Sequence, residues 1–316
     1  MQTPSSARSR PFTQVDVFTG QAYYGNPLAV VLDGEGLTEA QMLRFAHWTN
    51  LSETTFLLPP TPEGAAKGAD YRVRIFTPGG EMRFAGHPTL GTCHAWLQTG
   101  AKPRNAKRIV QECAAGLVAI QPVDGKLAFA APALQRRAPG PMHLAQVAAA
   151  LGLKSAQVVA AQMLDNGAAW MGILVDDPNT VLQLQPDFFA LKQLNADVGV
   201  AAFYPEVSSS SALIGRSNRE ARAFGSSASP ASPQLRQMEV RAFAPAAGIA
   251  EDPVTGSFNA SLAQWLMADG LAPEHYEAIQ GTCLERAGHV SLLRDADGQV
   301  WVGGEVVTCI QGHVTL

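Results

Sequence analysis

The sequence predicts an α+β protein made of two similar halves, and three observations carry that reading. First, much of residues 73–91 recurs later in the chain: Val73-Arg74-Ile75-Phe76-Thr77-Pro78 is echoed by Val240-Arg241-Ala242-Phe243-Ala244-Pro245. Second, each copy runs through a turn into an apolar helix, 86–100 and 256–270, spans of equal length. Both helices carry Trp-Leu near their ends, Trp96-Leu97 and Trp265-Leu266, and both finish on Gly, the residue best suited to a left-handed C-cap. Repeats lying about half a chain apart indicate a duplicated unit. Third, the strand patterns are short and outnumber the helices, which speaks against a doubly wound parallel sheet.

The duplication has a chemical consequence. A helix N-terminus has unpaired N–H groups and a partial positive charge, so it attracts carboxylates. Two such termini facing across a cleft would grip a small acid from both sides. The glycines that open the helices, Gly86 and Gly256, would let a ligand approach the backbone. Beside them, His87 in one copy and Asp252 and Ser257 in the other would reach the same ligand.

In chain order, residues 12–18 alternate apolar and polar and read as a strand, and 28–32 as a buried one after the Gly25-Asn26-Pro27 turn. Thr38 with Gln41 forms a capping box for a helix to about Trp48. Asn50-Leu51-Ser52-Glu53-Thr54 ends that helix and enters the strand 55–58, leaving Glu53 at a helix–strand junction. The strand of the first copy spans 71–76, with Pro88 expected at the first position of its helix. Strands are expected at 108–112, 117–122 and 126–130, then a linker at 132–141. Beyond it come a helix at 144–151, strands at 156–161 and 169–175, a helix at 187–194 and a strand at 199–204. Residues 207–237, rich in Ser and Ala, read as a surface insertion. Strands at 290–293, 300–302 and 306–310 close the chain.

Composition excludes several classes. The 316 residues are 47% hydrophobic and 16% charged, enough apolar content for real cores. A net charge of −4 offers no basic field for nucleic acid. No 18-residue apolar run suggests a membrane span, and residues 1–10 do not read as a secretory signal. Cys93, Cys113, Cys283 and Cys309 form no C-x-x-C pair, so free thiols in a reducing cytoplasm are expected. His47 and His94 lack partners at metal spacing, so no metal is expected. Gly34-Glu35-Gly36 and Gly79-Gly80 are not dinucleotide fingerprints, and no cofactor is expected.

Four segments in register, Val15-Asp16-Val17-Phe18 with Gly25-Asn26-Pro27, Asn50 to Thr54, Gly86-His87-Pro88-Thr89 and Glu251 to Ser257, resemble the PhzF-like phenazine-biosynthesis family. The resemblance runs from about Phe12 to the C-terminus, apart from 207–237. It implies the diaminopimelate-epimerase-like fold: two pseudo-symmetric domains, each a curved, mostly antiparallel sheet around a central helix, with the site between them. The domains would be 12–133, completed by a C-terminal strand 304–316, and 134–303. It further implies cofactor-free proton transfer at carbon, with Glu53 as general acid/base and His87, Asp252 and Ser257 facing the substrate. Related two-cysteine epimerases place a cysteine just before each helix-opening Gly. Here Ala85 fills the first such slot and no Cys lies between Val240 and Gly270, which disfavours a two-thiol racemase.

Each residue also has a plainer reading. Glu53 could be a surface carboxylate satisfying a turn, and its ordinary pKa of about 4.3 would make it a weak base unless burial raised it. His87 could hydrogen-bond the helix start, and Asp252 and Ser257 could merely cap the second helix. Asn26 and Asp16 read as turn stabilisers, and Cys93 as core. The sequence therefore predicts an isomerase acting on a small carboxylate-bearing metabolite. An epimerase with Glu53 and Asp252 as opposing bases, or a catalytically silent binding protein of the same fold, are the alternatives. Monomer and homodimer stay equally open.

Overall fold

The computed structural model describes residues 7–123, 125–205 and 235–316. Most of the expected 207–237 insertion lies outside them, and its last two residues, Arg236 and Gln237, already belong to a strand. The first half contains β1 (Ser9–Val17), β2 (Asn26–Val31), α1 (Glu39–Thr49), β3 (Glu53–Leu58), α2 (Pro62–Ala66), β4 (Tyr71–Thr77), β5 (Gly80–Met82), α3 (Gly86–Gln98), β6 (Ile109–Cys113), β7 (Gly116–Val123) and β8 (Lys126–Ala130). Next come β9 (Gln135–Arg137), α4 (Pro141–Ala150), β10 (Val158–Asp165), β11 (Ala169–Val175), α5 (Pro178–Leu182), α6 (Phe188–Gln193) and β12 (Val198–Phe203). The chain ends with β13 (Arg236–Ala244), β14 (Ile249–Asp252), α7 (Gly256–Ala268), β15 (His275–Gln280), β16 (Gly288–Arg294), β17 (Val300–Gly304) and β18 (Val306–Thr315).

The strand pairings repeat. β1 runs antiparallel to β2, β2 parallel to β3, β3 antiparallel to β4, and β4 parallel to β6, with β6, β7 and β8 following antiparallel. β10 to β17 reproduce that series, with β11 parallel to β12 and β13 parallel to β15. β5 and β14 are matching hairpin strands on β4 and β13. The halves join through their own equivalent strands, β8 antiparallel to β17, so the local twofold relation passes through that pair. β18 pairs with β1 and β9 with β10, again as counterparts.

The two central helices are buried over most of their surface, as helices apolar all round must be. Leu90 in α3 and Phe258 and Leu266 in α7 are fully shielded within a core that runs through both halves. Burying each such side chain stabilises the fold by about 1.5–3 kcal/mol. The expected C-caps form: Gly100 and Gly270 take φ values of 84° and 70°. The Thr38–Gln41 capping box is present, and Asn50, left-handed at φ 55°, ends α1 just before Glu53.

Three expectations need correction. The linker at 132–141 contains β9, held by pairing to β10, and α4 starts at Pro141 rather than 144. Pro88 is the third residue of α3, not the first, still within the turn whose N–H groups have no helical partner. The five-residue helices α2 and α5 were not foreseen, because so short a segment shows no helical period. Among the described residues, no helix is long and apolar enough to cross a membrane.

Candidate active site

The two helix starts meet. A Cβ placed on Gly86 would lie 2.8 Å from the Cα of Gly256, and one on Gly256 would lie 2.9 Å from the Cα of Gly86. Neither start has a side-chain cap, so the first-turn N–H groups are left for a ligand. Beside them is a cavity of about 200 Å³, lined by Glu53, Gly86, His87, Asp252, Gly256 and Ser257 together with Trp170 and Asp197. All six residues expected from the sequence therefore share one cavity. Larger hollows flank β1 and β18, about 380, 440 and 510 Å³; the first two have no carboxyl in their linings, and the third, with Asp16, Glu285 and Arg286, includes neither helix start.

Glu53 opens β3 and is buried. Burial first, and the neighbouring Asp252 second, hold its carboxyl well above the usual range, against an opposing contact from Ser52. His87 Nε2 lies 3.3 Å from Glu53 Oε2, an ion-pair distance. The pair is nevertheless neutral, because burial pushes His87 down to about 3. His87 Nδ1 lies 3.4 Å from Asn26 Nδ2, whose two protons go to Asp252 Oδ1 and the Val254 carbonyl.

Asp252 is held from two sides. Its Oδ1 accepts from Asn26 Nδ2 at 2.8 Å and its Oδ2 from the Thr255 hydroxyl at 2.7 Å. Burial raises its carboxyl while those two donors work against the rise. It does not cap α7 directly. Ser257 Oγ accepts from Trp170 Nε1 at 3.3 Å, and its hydroxyl proton remains available to a ligand. Gln280, on β15, clamps this loop by accepting from the Thr255 N–H and donating to the Asp252 carbonyl.

The sequence profile of the phenazine biosynthesis-like proteins matches residues 15–312. The chain belongs to the phenazine biosynthesis-like (PhzF) family. It is 31% identical to the trans-2,3-dihydro-3-hydroxyanthranilate isomerase of Pseudomonas aeruginosa, over 96% of this chain and 99% of that one. It is 34% identical to Antisense-enhancing sequence 1 of Schizosaccharomyces pombe, over 95% and 97%. A PhzF family protein from Bacillus anthracis superposes with a TM-score of 0.76 at 23% identity, covering 98% of this chain and all of that one. A hydroxyproline epimerase from Agrobacterium vitis shares the fold with a TM-score of 0.55 at 14% identity, covering 98% and 93%. The family and fold inferred from four short motifs hold, and the chain is an isomerase of this family.

This PhzF site includes residues that sequence reasoning set aside. Asn26, read as a turn stabiliser, is fully buried and donates to Asp252 and the Val254 carbonyl beside His87, while its own oxygen accepts from Ser52. Its place between Gly25 and Pro27 in a quoted motif was the available signal. Trp170, Asp197 and Gln280 carried no local signal, because they reach the site through pairings from distant strands. Asp16, by contrast, stabilises a turn as read: from β1 its carboxylate accepts from the Gly25 N–H at 2.9 Å. Cys93 is fully buried core. Among the described residues, no group of three or more His, Cys, Asp or Glu is arranged to hold a metal ion.

Proposed function

We propose that this PhzF family member moves a proton between carbons of a small carboxylate-bearing metabolite without a cofactor, with Glu53 as the single general acid/base. The observation that carries the reading is Glu53 itself: a buried carboxyl with its pKa raised, on the wall of a small cavity beside two uncapped helix starts. The N–H groups of Gly86, His87, Gly256 and Ser257 would hold the substrate carboxylate. The same groups would stabilise the negative charge that spreads onto it as the adjacent C–H bond breaks. Ionised Glu53 takes that proton, and the C–H electron pair enters the conjugated system. Protonated Glu53 then returns it at another carbon, so the double bond shifts and no atom is gained or lost. A carboxyl raised towards neutrality serves both steps, because neither protonation state is far from reach. A proton on His87 Nε2 would steady the Glu53 carboxylate between them.

The working unit proposed is the pair of lobes expected from the sequence, 12–133 with 304–316 and 134–303, closing on the cavity from both sides. An unsaturated cyclic acid or amino acid suits the cavity, in line with the isomerase activity for which the Pseudomonas aeruginosa relative is named. Epimerisation with Asp252 as the opposing base is less well supported, since both Asp252 oxygens already accept hydrogen bonds. The test is a screen of small unsaturated acids and amino acids for uptake of solvent deuterium. Wild-type protein should label at least one of them and Glu53→Gln should not; uptake that survives Glu53→Gln would refute the assignment.

A further inference from the structure

We infer that Asp197 is a specificity-determining residue of this cavity, accepting a hydrogen bond from a cationic N–H donor, an ammonium, on the same acid whose carboxylate the helix starts hold. The inference deepens the proposed function and rests on it.

Register makes the first argument. Thr54 pairs with Phe76 between β3 and β4, and Val198 pairs with Phe243 between β12 and β13. Phe76 and Phe243 are the same position of the repeated Val-Arg-x-Phe. Thr54 therefore corresponds to Val198, and the residue before each, Glu53 and Asp197, is the same position of the duplicated unit. The local twofold relation puts one carboxyl in each half, on either side of the Gly86–Gly256 contact, and both line the same cavity.

Hydrogen-bond accounting makes the second. Buried acceptors in folded proteins are almost always paired, and leaving one unpaired costs about 1–3 kcal/mol. Asp252 has a donor on each oxygen; Glu53 Oε2 makes no hydrogen bond but has His87 Nε2 opposite it at 3.3 Å. Asp197 Oδ1 is shielded from solvent and has no donor. The main chain of Asp197 is committed elsewhere, its carbonyl accepting from the Met171 N–H at 2.8 Å. That oxygen faces no donor and no ion-pair partner of the protein, so it is open to one carried by the ligand.

Charge makes the third. Among the described residues lining the cavity there are three carboxyls, one neutral imidazole and no Lys or Arg. Burial pushes Asp197 up to about 6, so it remains mostly ionised at neutral pH. With the Glu53–His87 pair neutral, Asp197 is a negative group in a cavity that holds no cation, which suits a ligand bearing a positive group while the helix N–H groups take its negative end.

The experiment uses matched pairs of small unsaturated acids, each with and without an amino group at the same carbon. Deuterium uptake is followed in wild type, Asp197→Asn and Asp197→Ser. Wild type should favour the amino member of a pair, and the preference in kcat/KM should fall at least about tenfold in both variants, mainly through KM. Glu53→Gln should instead lower kcat for both members. Melting temperatures of the Asp197 variants should match or exceed wild type at neutral pH, since a partly desolvated carboxylate is replaced by an uncharged group. A preference that persists in both variants, or a wild type without preference, overturns the inference. A wild type that labels no acid of any pair refutes the isomerase reading and takes this inference with it.

Discussion

Gly86 and Gly256 touch backbone to backbone, one at the start of each central helix, and that contact holds the site together. Two helices can present their N-terminal N–H groups to one ligand only if nothing stands between them, and here even a methyl group would. Gly86→Ala or Gly256→Ala should cost about 1–3 kcal/mol by overpacking and should also depress activity by separating the starts. Gly140→Ala, at the start of α4 where an added Cβ meets nothing within 4 Å, should leave activity unchanged and cost at most about 1 kcal/mol through the weaker N-cap. Urea unfolding of the three variants side by side checks this.

Glu53→Gln should lower proton transfer by on the order of 10²- to 10⁴-fold. In wild type, the base form of Glu53 gains population only as pH rises past its elevated value. The acid limb of kcat/KM should thus lie well above the ordinary carboxylate range near 4.3. A limb at about 4 would contradict the burial argument.

The same shift sets a stability trend. A carboxyl whose folded pKa is raised contributes fully below its unfolded value and loses that contribution as pH climbs through the folded one. Glu53→Gln should therefore be more stable than wild type at neutral pH, and the advantage should shrink towards pH 4. Denaturant titrations at both pH values read it directly.

His87 runs the other way. Its folded pKa is depressed, so its contribution is present above about 6.5 and is lost as pH falls towards about 3, by at most about 1.4 kcal/mol per pH unit. His87→Gln should flatten the acid side of the stability profile. An unchanged slope would show that His87 is protonated in the folded protein.

Asn26→Ala should strip donors from Asp252 Oδ1 and the Val254 carbonyl at once. The cost should be about 1–3 kcal/mol, with weakened activity because Asp252 loses its position. If urea unfolding shows no change, the Asn26 bridge carries no weight.

The duplication was legible because strand register and helix length are written locally. The repeated Val-Arg-x-Phe, the equal helices and their terminal glycines all survive in the folded protein at matching places. Even the Arg74–Glu81 pair of the first copy returns as Arg241–Glu251 in the second. Short helices beginning Thr61-Pro62 and Asp177-Pro178 were missed because capping chemistry without periodicity looks like a turn. β9 was missed because three residues of strand exist only through their partner β10.

By itself, the sequence determined the repeated unit, the two glycine-opened helix starts and the candidate carboxylate, since each depends on residues adjacent along the chain. Only the tertiary structure decided that Asn26 serves Asp252, that His87 stays neutral against Glu53, and that Asp197 mirrors Glu53. Those facts arise from burial and from pairing across strands far apart in sequence, and desolvation is a property of the space around a group rather than of its neighbours along the chain.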